Sequence, residues 1–132
     1  MDISLFACDY WENGENGPTM KIVLCGSGTF ALQILEALVA SSHEVVGVVT
    51  PVAHRAGRGR HVRHTPVEDG ALEAGLHVLA CEDINDEVGQ AFLRACKPDS
   101  LCVVEFGQFL KQDTCGIATH GAFNLHASIL PQ

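Results

Sequence analysis

Near the end of the sequence, Phe123-Asn124-Leu125-His126-Ala127-Ser128-Ile129-Leu130-Pro131 sets an amide and an imidazole two residues apart. Side chains two apart on a β-strand share a face, so Asn124 and His126 point the same way. Ligands of open α/β sheets bind at the carboxyl ends of the strands. There, an amide can donate a hydrogen bond to a developing oxyanion while an imidazole steadies charge and handles a proton. A lone Asn or His at a strand end is more often a satisfied structural group, so the surrounding sequence has to decide.

Two other stretches could do chemistry. Gly26-Ser27-Gly28-Thr29-Phe30-Ala31 matches G-x-G-x-x-[G/A], a tight turn that aims backbone N–H groups at an anion in front of a helix. A dinucleotide site also needs an acid at the end of the second strand to hold a ribose. That position reads Val49-Thr50-Pro51, and the nearest charge beyond it is Arg55. NAD is therefore poorly supported and NADP better tolerated; a plain β-to-α turn explains the hexapeptide equally well. The second stretch runs from Arg55 to His64 (RAGRGRHVRH), where Arg55, Arg58, Arg60 and Arg63 make four of the eight basic side chains. Glycine-spaced arginines suit phosphate contacts, although most charge runs are only solvated surface. His61 and His64 could face a metal together, but no third ligand lies near them, so no metal site is expected.

The elements that must position these groups alternate in type. Lys21–Cys25 and Glu44–Val49 are apolar runs of strand length. Phe30–Ala40 is apolar at helical spacing. Pro66–Ala74 reads as a helix with Thr65 as N-cap and Gly75 as its stop. His77–Leu79 is a short strand, Asn85–Ala95 a helix ended by Lys97-Pro98, and Ser100–Glu105 and Ala122–Leu125 are strands. Strands apolar on both faces and alternating with helices predict an α/β fold. Right-handed crossovers make it a Rossmann-like, doubly wound, mostly parallel sheet. The last strand falls so near Gln132 that the sheet is expected to be incomplete at its C-terminal end, with Ala122–Leu125 as an exposed edge prone to self-association.

Composition narrows the class. A net charge of −8 over 132 residues argues against a binder that uses its whole surface for nucleic acid. It leaves room for one basic patch. No apolar run approaches the roughly 20 residues of a membrane span, and Met1–Pro18 has neither a basic start nor an apolar stretch of signal-peptide type. The six cysteines, Cys8, Cys25, Cys81, Cys96, Cys102 and Cys115, include no C-x-x-C pair. They are read as reduced and structural in a cytoplasmic protein. Residues 1–19 look like an irregular N-terminal extension, and 20–132 like one partial domain.

Taken together, these segments resemble the folate-dependent formyltransferase family, in its methionyl-tRNA branch. The resemblance rests on Met20–Gly26 through Phe30-Ala31, on Arg55–Arg60 (RAGRGR) followed by Thr65-Pro66-Val67, on Lys97-Pro98-Asp99 and Val103–Leu110, and on Asn124–Pro131. It covers Met20 to Gln132 in order and spacing. It implies transfer of a formyl group from 10-formyltetrahydrofolate to the amino group of initiator methionyl-tRNA, with Asn124 and His126 as catalytic residues. It also implies a pterin pocket at Phe106, Gly107, Gln108, Phe109 and Leu110, held largely by backbone groups, and tRNA contacts from Arg55, Arg58, Arg60 and Arg63. Purine-pathway and sugar-nucleotide formyltransferases of the same superfamily are alternatives, disfavoured by RAGRGR; a non-catalytic nucleotide-binding module is another. The family places an aspartate well downstream of Asn-x-His, so the 132 residues alone are expected to show little transfer activity. Glu105 is the one residue of this pocket that departs from expectation.

Overall fold

The computed structural model describes residues 19–53, 55–56, 61–62 and 64–125, with backbone only for 55–56 and 61–62. Five strands form one sheet: β1 (Lys21–Gly26), β2 (Glu44–Pro51), β5 (Val78–Cys81), β6 (Ser100–Val104) and β7 (Ala122–Leu125). Their order is β5-β2-β1-β6-β7, and every pairing is parallel. The chain builds outward from β1 through β2 to β5, then returns to lay β6 and β7 on the other side of β1. That reversal needs helices on both faces. The fold is the Rossmann-like α/β sheet that the alternating pattern predicts.

The two faces have separate cores. Helices α1 (Thr29–Ala40) and α2 (Pro66–Glu73) close one face, where Phe30, Ile34, Leu35, Val67 and Ala71 pack on Ile22, Leu24, Val48 and Cys102. On the other face, Leu93 of α3 (Glu87–Cys96) and Phe106 pack with Val23, Cys25, Val49 and Leu101. A short α4 (Gln112–Cys115) precedes Ile117 and Ala118 of the same cluster. β6 is buried at all five positions and β1 at all but Lys21. This is why both read as continuous apolar runs rather than alternating ones. β7 has a described partner on one side only, so it forms one edge of the described sheet. Among the described residues no helix is long and apolar enough to cross a membrane.

Several boundaries shift by one or two residues from the sequence reading, and three departures have a local reason. α3 starts at Glu87 rather than Asn85, because the Asp86 side chain accepts from the Gly89 N–H at 2.8 Å and so acts as the N-cap. β5 runs Val78–Cys81 rather than His77–Leu79, its register set by pairing with Val48–Pro51. The basic stretch, expected as loop, folds back as a two-residue antiparallel ribbon, β3 (Arg55–Ala56) against β4 (His61–Val62). No alternation of apolar residues advertises that ribbon. The N-cap at Thr65 is as read, its hydroxyl oxygen accepting from Glu68 N–H at 3.0 Å.

The buried cysteines behave as small apolar residues with a pH signature. Burial pushes the Cys102 thiol from its ordinary 9.0 up to about 12, and drives Cys25 well above its ordinary value. A folded value above the unfolded one means that stability is intact below pH 9. Above that the unfolded chain loses the proton first, and stability falls until the folded thiol also ionises. Each such thiol steepens the fall by up to about 1.4 kcal/mol per pH unit. Urea midpoints measured from pH 8 to pH 11 should therefore fall less steeply for Cys102→Ala than for the wild type. Equal slopes would show that Cys102 ionises as easily in the fold as outside it.

Candidate active site

The candidate site lies where the strand order reverses, at the carboxyl ends of β1, β6 and β7. β6 ends at Val104, and the next residue, Glu105, adopts a left-handed backbone with φ 51°. A non-glycine residue there costs of order 1–3 kcal/mol unless its surroundings hold it. They do. The Ser27 hydroxyl donates to the Glu105 carbonyl at 2.6 Å, and one Glu105 carboxylate oxygen accepts from the Ala31 N–H at 3.0 Å. The N-cap of α1, Gly28, has no side chain to cap the helix, so Glu105 supplies the missing acceptor from across the sheet. A Cβ on Gly28 would run into that carboxylate, whose carbon lies 3.0 Å from the Cβ position. The residue least expected in the pocket is thus a helix cap.

This arrangement bears on Gly26-Ser27-Gly28. In a dinucleotide site the pyrophosphate sits against the helix N-terminus. Here that place is taken by the protein's own carboxylate. The turn serves the junction of β1, α1 and β6, and the structural reading of the hexapeptide is favoured over a nucleotide seat.

One strand further out, a cleft of about 370 Å³ opens between β6 and β7, lined by Val103, Glu105, Phe106, Gly107, Gln108, Asn124 and Leu125. Asn124 pairs with Val103 across the two strands. Its side chain is exposed, while Phe123 and Leu125 pack against the opposite core. The alternation of β7 therefore places the amide where the sequence predicts it, facing the cleft. Phe106 is only 3% exposed and its ring belongs to the core, so mainly its backbone is left to a ligand. Gly107 has φ 78° with nothing within 4 Å of a would-be Cβ; it keeps the turn open. The Gln108 amide is engaged at both ends, accepting from Ile84 N–H at 2.8 Å and donating to the Cys81 carbonyl at 2.9 Å. Phe109, 81% exposed, and the partly buried Leu110 lie beyond the residues lining the cleft.

The structure thus brings together Asn124, Phe106, Gly107 and Gln108 of the predicted set. His126 lies outside the described residues, as do Arg58, Arg60 and Arg63 and the side chain of Arg55. The base of the basic segment is described: the Thr50 and Thr65 hydroxyls share a 2.6 Å hydrogen bond. His64 turns to α2, with Nδ1 3.0 Å from Asp69 and Nε2 3.9 Å from Glu68. Among the described residues, no group of three His, Cys, Asp or Glu could hold a metal ion.

Comparison with known proteins gives the same direction. The model of the formyl transferase family matches residues 20–132. Among curated proteins, the methionyl-tRNA formyltransferase of Stenotrophomonas maltophilia is 42% identical over 113 residues, covering 86% of this chain and 36% of its own length. That of Roseiflexus castenholzii is 43% identical over 114 residues, with coverages of 86% and 36%. That of Acidobacterium capsulatum is 40% identical over 114 residues, with coverages of 86% and 37%. The chain spans about a third of the length of these relatives. With its family model matched over nearly the whole chain and its fold of the expected kind, the protein belongs to the formyl transferase family.

Proposed function

We propose that this chain provides the formyl-donor part of a cytoplasmic methionyl-tRNA formyltransferase, with residues 20–132 as part of the transferase domain. The observation that carries the proposal is the facing of Asn124 and the 105–108 turn across one cleft at the carboxyl ends of β6 and β7. The family match and the methionyl-tRNA formyltransferases among the relatives support the choice of substrates.

In this reading 10-formyltetrahydrofolate enters with its pterin against the 106–110 turn, met largely by backbone groups. The amino nitrogen of methionyl-tRNA attacks the formyl carbon, and a tetrahedral oxyanion forms. Asn124 donates a hydrogen bond to that oxyanion. His126 stabilises it and takes part in moving the proton from the attacking amine toward N10. Collapse breaks the bond between carbon and N10 and releases formyl-methionyl-tRNA and tetrahydrofolate. Arg55, Arg58, Arg60 and Arg63 meet phosphates of the tRNA and position it without touching the folate.

Calorimetric titration with 5-formyltetrahydrofolate, a stable stand-in for the donor, and separately with NADP tests the site. Saturable heat from the folate alone is expected; saturation by NADP alone would replace the proposal with the nucleotide-binding reading. In the same series, Arg58→Ala and Arg60→Ala should each flatten the salt dependence of methionyl-tRNA binding by about one unit of slope. The folate heat should stay as it was, and an unchanged slope would return the segment to ordinary solvated surface.

A further inference from the structure

The turn that floors the cleft, 105–110, has no regular secondary structure of its own. Something outside it must fix its shape. Glu105 and Ser27 secure its first residue. The far end is held chiefly by a side chain to which neither the sequence motifs nor the family resemblance assigns a role, with the Cys115 thiol donating to the Leu110 carbonyl at 3.9 Å beside it. The Asn85 amide nitrogen donates to the Phe109 carbonyl at 2.7 Å and to Asp83 Oδ1 at 3.0 Å. Its amide oxygen accepts from the Lys111 N–H at 2.8 Å and from the Thr114 hydroxyl at 2.6 Å. All four hydrogen-bonding positions of the amide are used. The orientation is unambiguous, because a carbonyl can only accept and a backbone N–H can only donate.

We propose that Asn85 is a positioning residue for the donor cleft: it touches no ligand, and its amide sets the placement of the 107–110 turn that receives the pterin. The inference rests on the folate reading above and names the device on which that reading depends. Asn85 grips the main chain on both sides of Leu110, at Phe109 and Lys111, while Gln108 reaches back to Cys81 and Ile84. Two amides thus lace the turn to the segment between β5 and α3, in opposite directions. Asp83 orients the Asn85 amide, and the hydrogen bonds from Asn85 in turn hold the Asp83 carboxyl below the usual carboxylate range. Thr114, fully buried, ties the same amide to α4. The turn held in this way presents Phe109 81% exposed. A ligand that is met by backbone groups needs those groups preorganised, because a loop that must be ordered on binding costs affinity.

The test is calorimetry with 5-formyltetrahydrofolate on the 132-residue chain and two variants, with urea midpoints measured in parallel. Asn85→Ala is expected to raise the dissociation constant about tenfold. Gln90→Ala is the control: it removes hydrogen bonds to Asp113 and Thr114 of α4 but none to the turn, so it should lower the midpoint and leave the dissociation constant as it was. A merely structural Asn85 would behave like Gln90. Should Asn85→Ala fail to fold, Asn85→Gln keeps the amide but carries it one methylene further, out of register with Phe109 and Lys111; a smaller rise in the dissociation constant is expected. A folded Asn85 variant that binds as tightly as the wild type overturns this assignment alone. A wild-type chain that gives no heat overturns the folate reading and this inference with it.

Discussion

Alanine at Asn124 is expected to lower the turnover number for formylation of methionyl-tRNA by roughly a hundred- to a thousandfold, with little change in the Michaelis constant for the folate. One preorganised donor lost from an oxyanion site typically costs about 3–4 kcal/mol in the transition state. Because the formyl oxygen carries little charge until the amine attacks, the ground state hardly feels the loss. The assay uses this chain joined to the remaining length of a curated relative, since the chain itself spans about a third of one. Asn124 is exposed on the cleft face of an edge strand, so its truncation should leave stability within about 0.5 kcal/mol. Lost turnover at preserved stability then reports chemistry. His126→Ala should act in the same sense. The double variant should fall little below the worse single one, because groups serving one oxyanion are not additive. Near-normal turnover in the Asn124 variant would remove it from the mechanism.

Much of the fold was legible because its central strands, β1 and β6, are buried on both faces. KIVLC, EVVGVV and SLCVV are short, β-branched apolar runs of the kind that a covered parallel sheet accommodates, and Thr65-Pro66 announces a helix start whose cap is present in the structure. Errors cluster where competing side chains settle a boundary. Asn85, Asp86 and Asp83 are all competent acceptors in one short segment. The sequence alone does not say that Asp86 caps α3 while Asn85 turns to Phe109 and Lys111. The ribbon of β3 and β4 was invisible for another reason: its pairing is backbone to backbone and carries no apolar signature.

The site was legible in its local part only. The period of two in β7 suffices to put Asn124 on the cleft face, and the position of the turn after β6 follows from the end of an apolar run. What the turn does with its own side chains depends on partners far away in sequence. Glu105 looked out of place because its partner, the Ala31 N–H, is 74 residues distant. Gln108 was read as a pocket residue, yet its amide reaches residues 24 and 27 positions back. A helix whose N-cap is glycine, together with an acid out of place at the end of a later strand, is the signal that could have suggested a cap supplied from outside the helix.

The second large effect is structural and falls on Gly26, where β1 turns toward α1. A Cβ there would press into the backbone carbonyl oxygen of Val104 and lie 2.8 Å from the Ala31 Cβ. Neither obstacle can swing aside. One is the main chain of β6, paired with Gly26 itself, and the other is a methyl fixed to the first turn of α1. Relief requires β1 and β6 to part, or α1 to retreat and give up the Glu105 cap. Overpacking of that kind typically costs 1–3 kcal/mol, and loss of a helix cap adds about 1 kcal/mol. Gly26→Ala should therefore lower unfolding free energy by about 3 kcal/mol, a large part of what a domain of this size possesses. Gly107→Ala is the matched comparison: no atom lies within 4 Å of its Cβ position, so only the left-handed φ of 78° is penalised, at about 1 kcal/mol. Gly28→Ala should fall between them, because the obstacle there is the Glu105 side chain, which can move aside and leave α1 uncapped. Urea unfolding of the three variants gives the ranking. A Gly26 variant no less stable than the Gly107 one would mean that β1 and β6 are not held as closely at this junction as the structure has them.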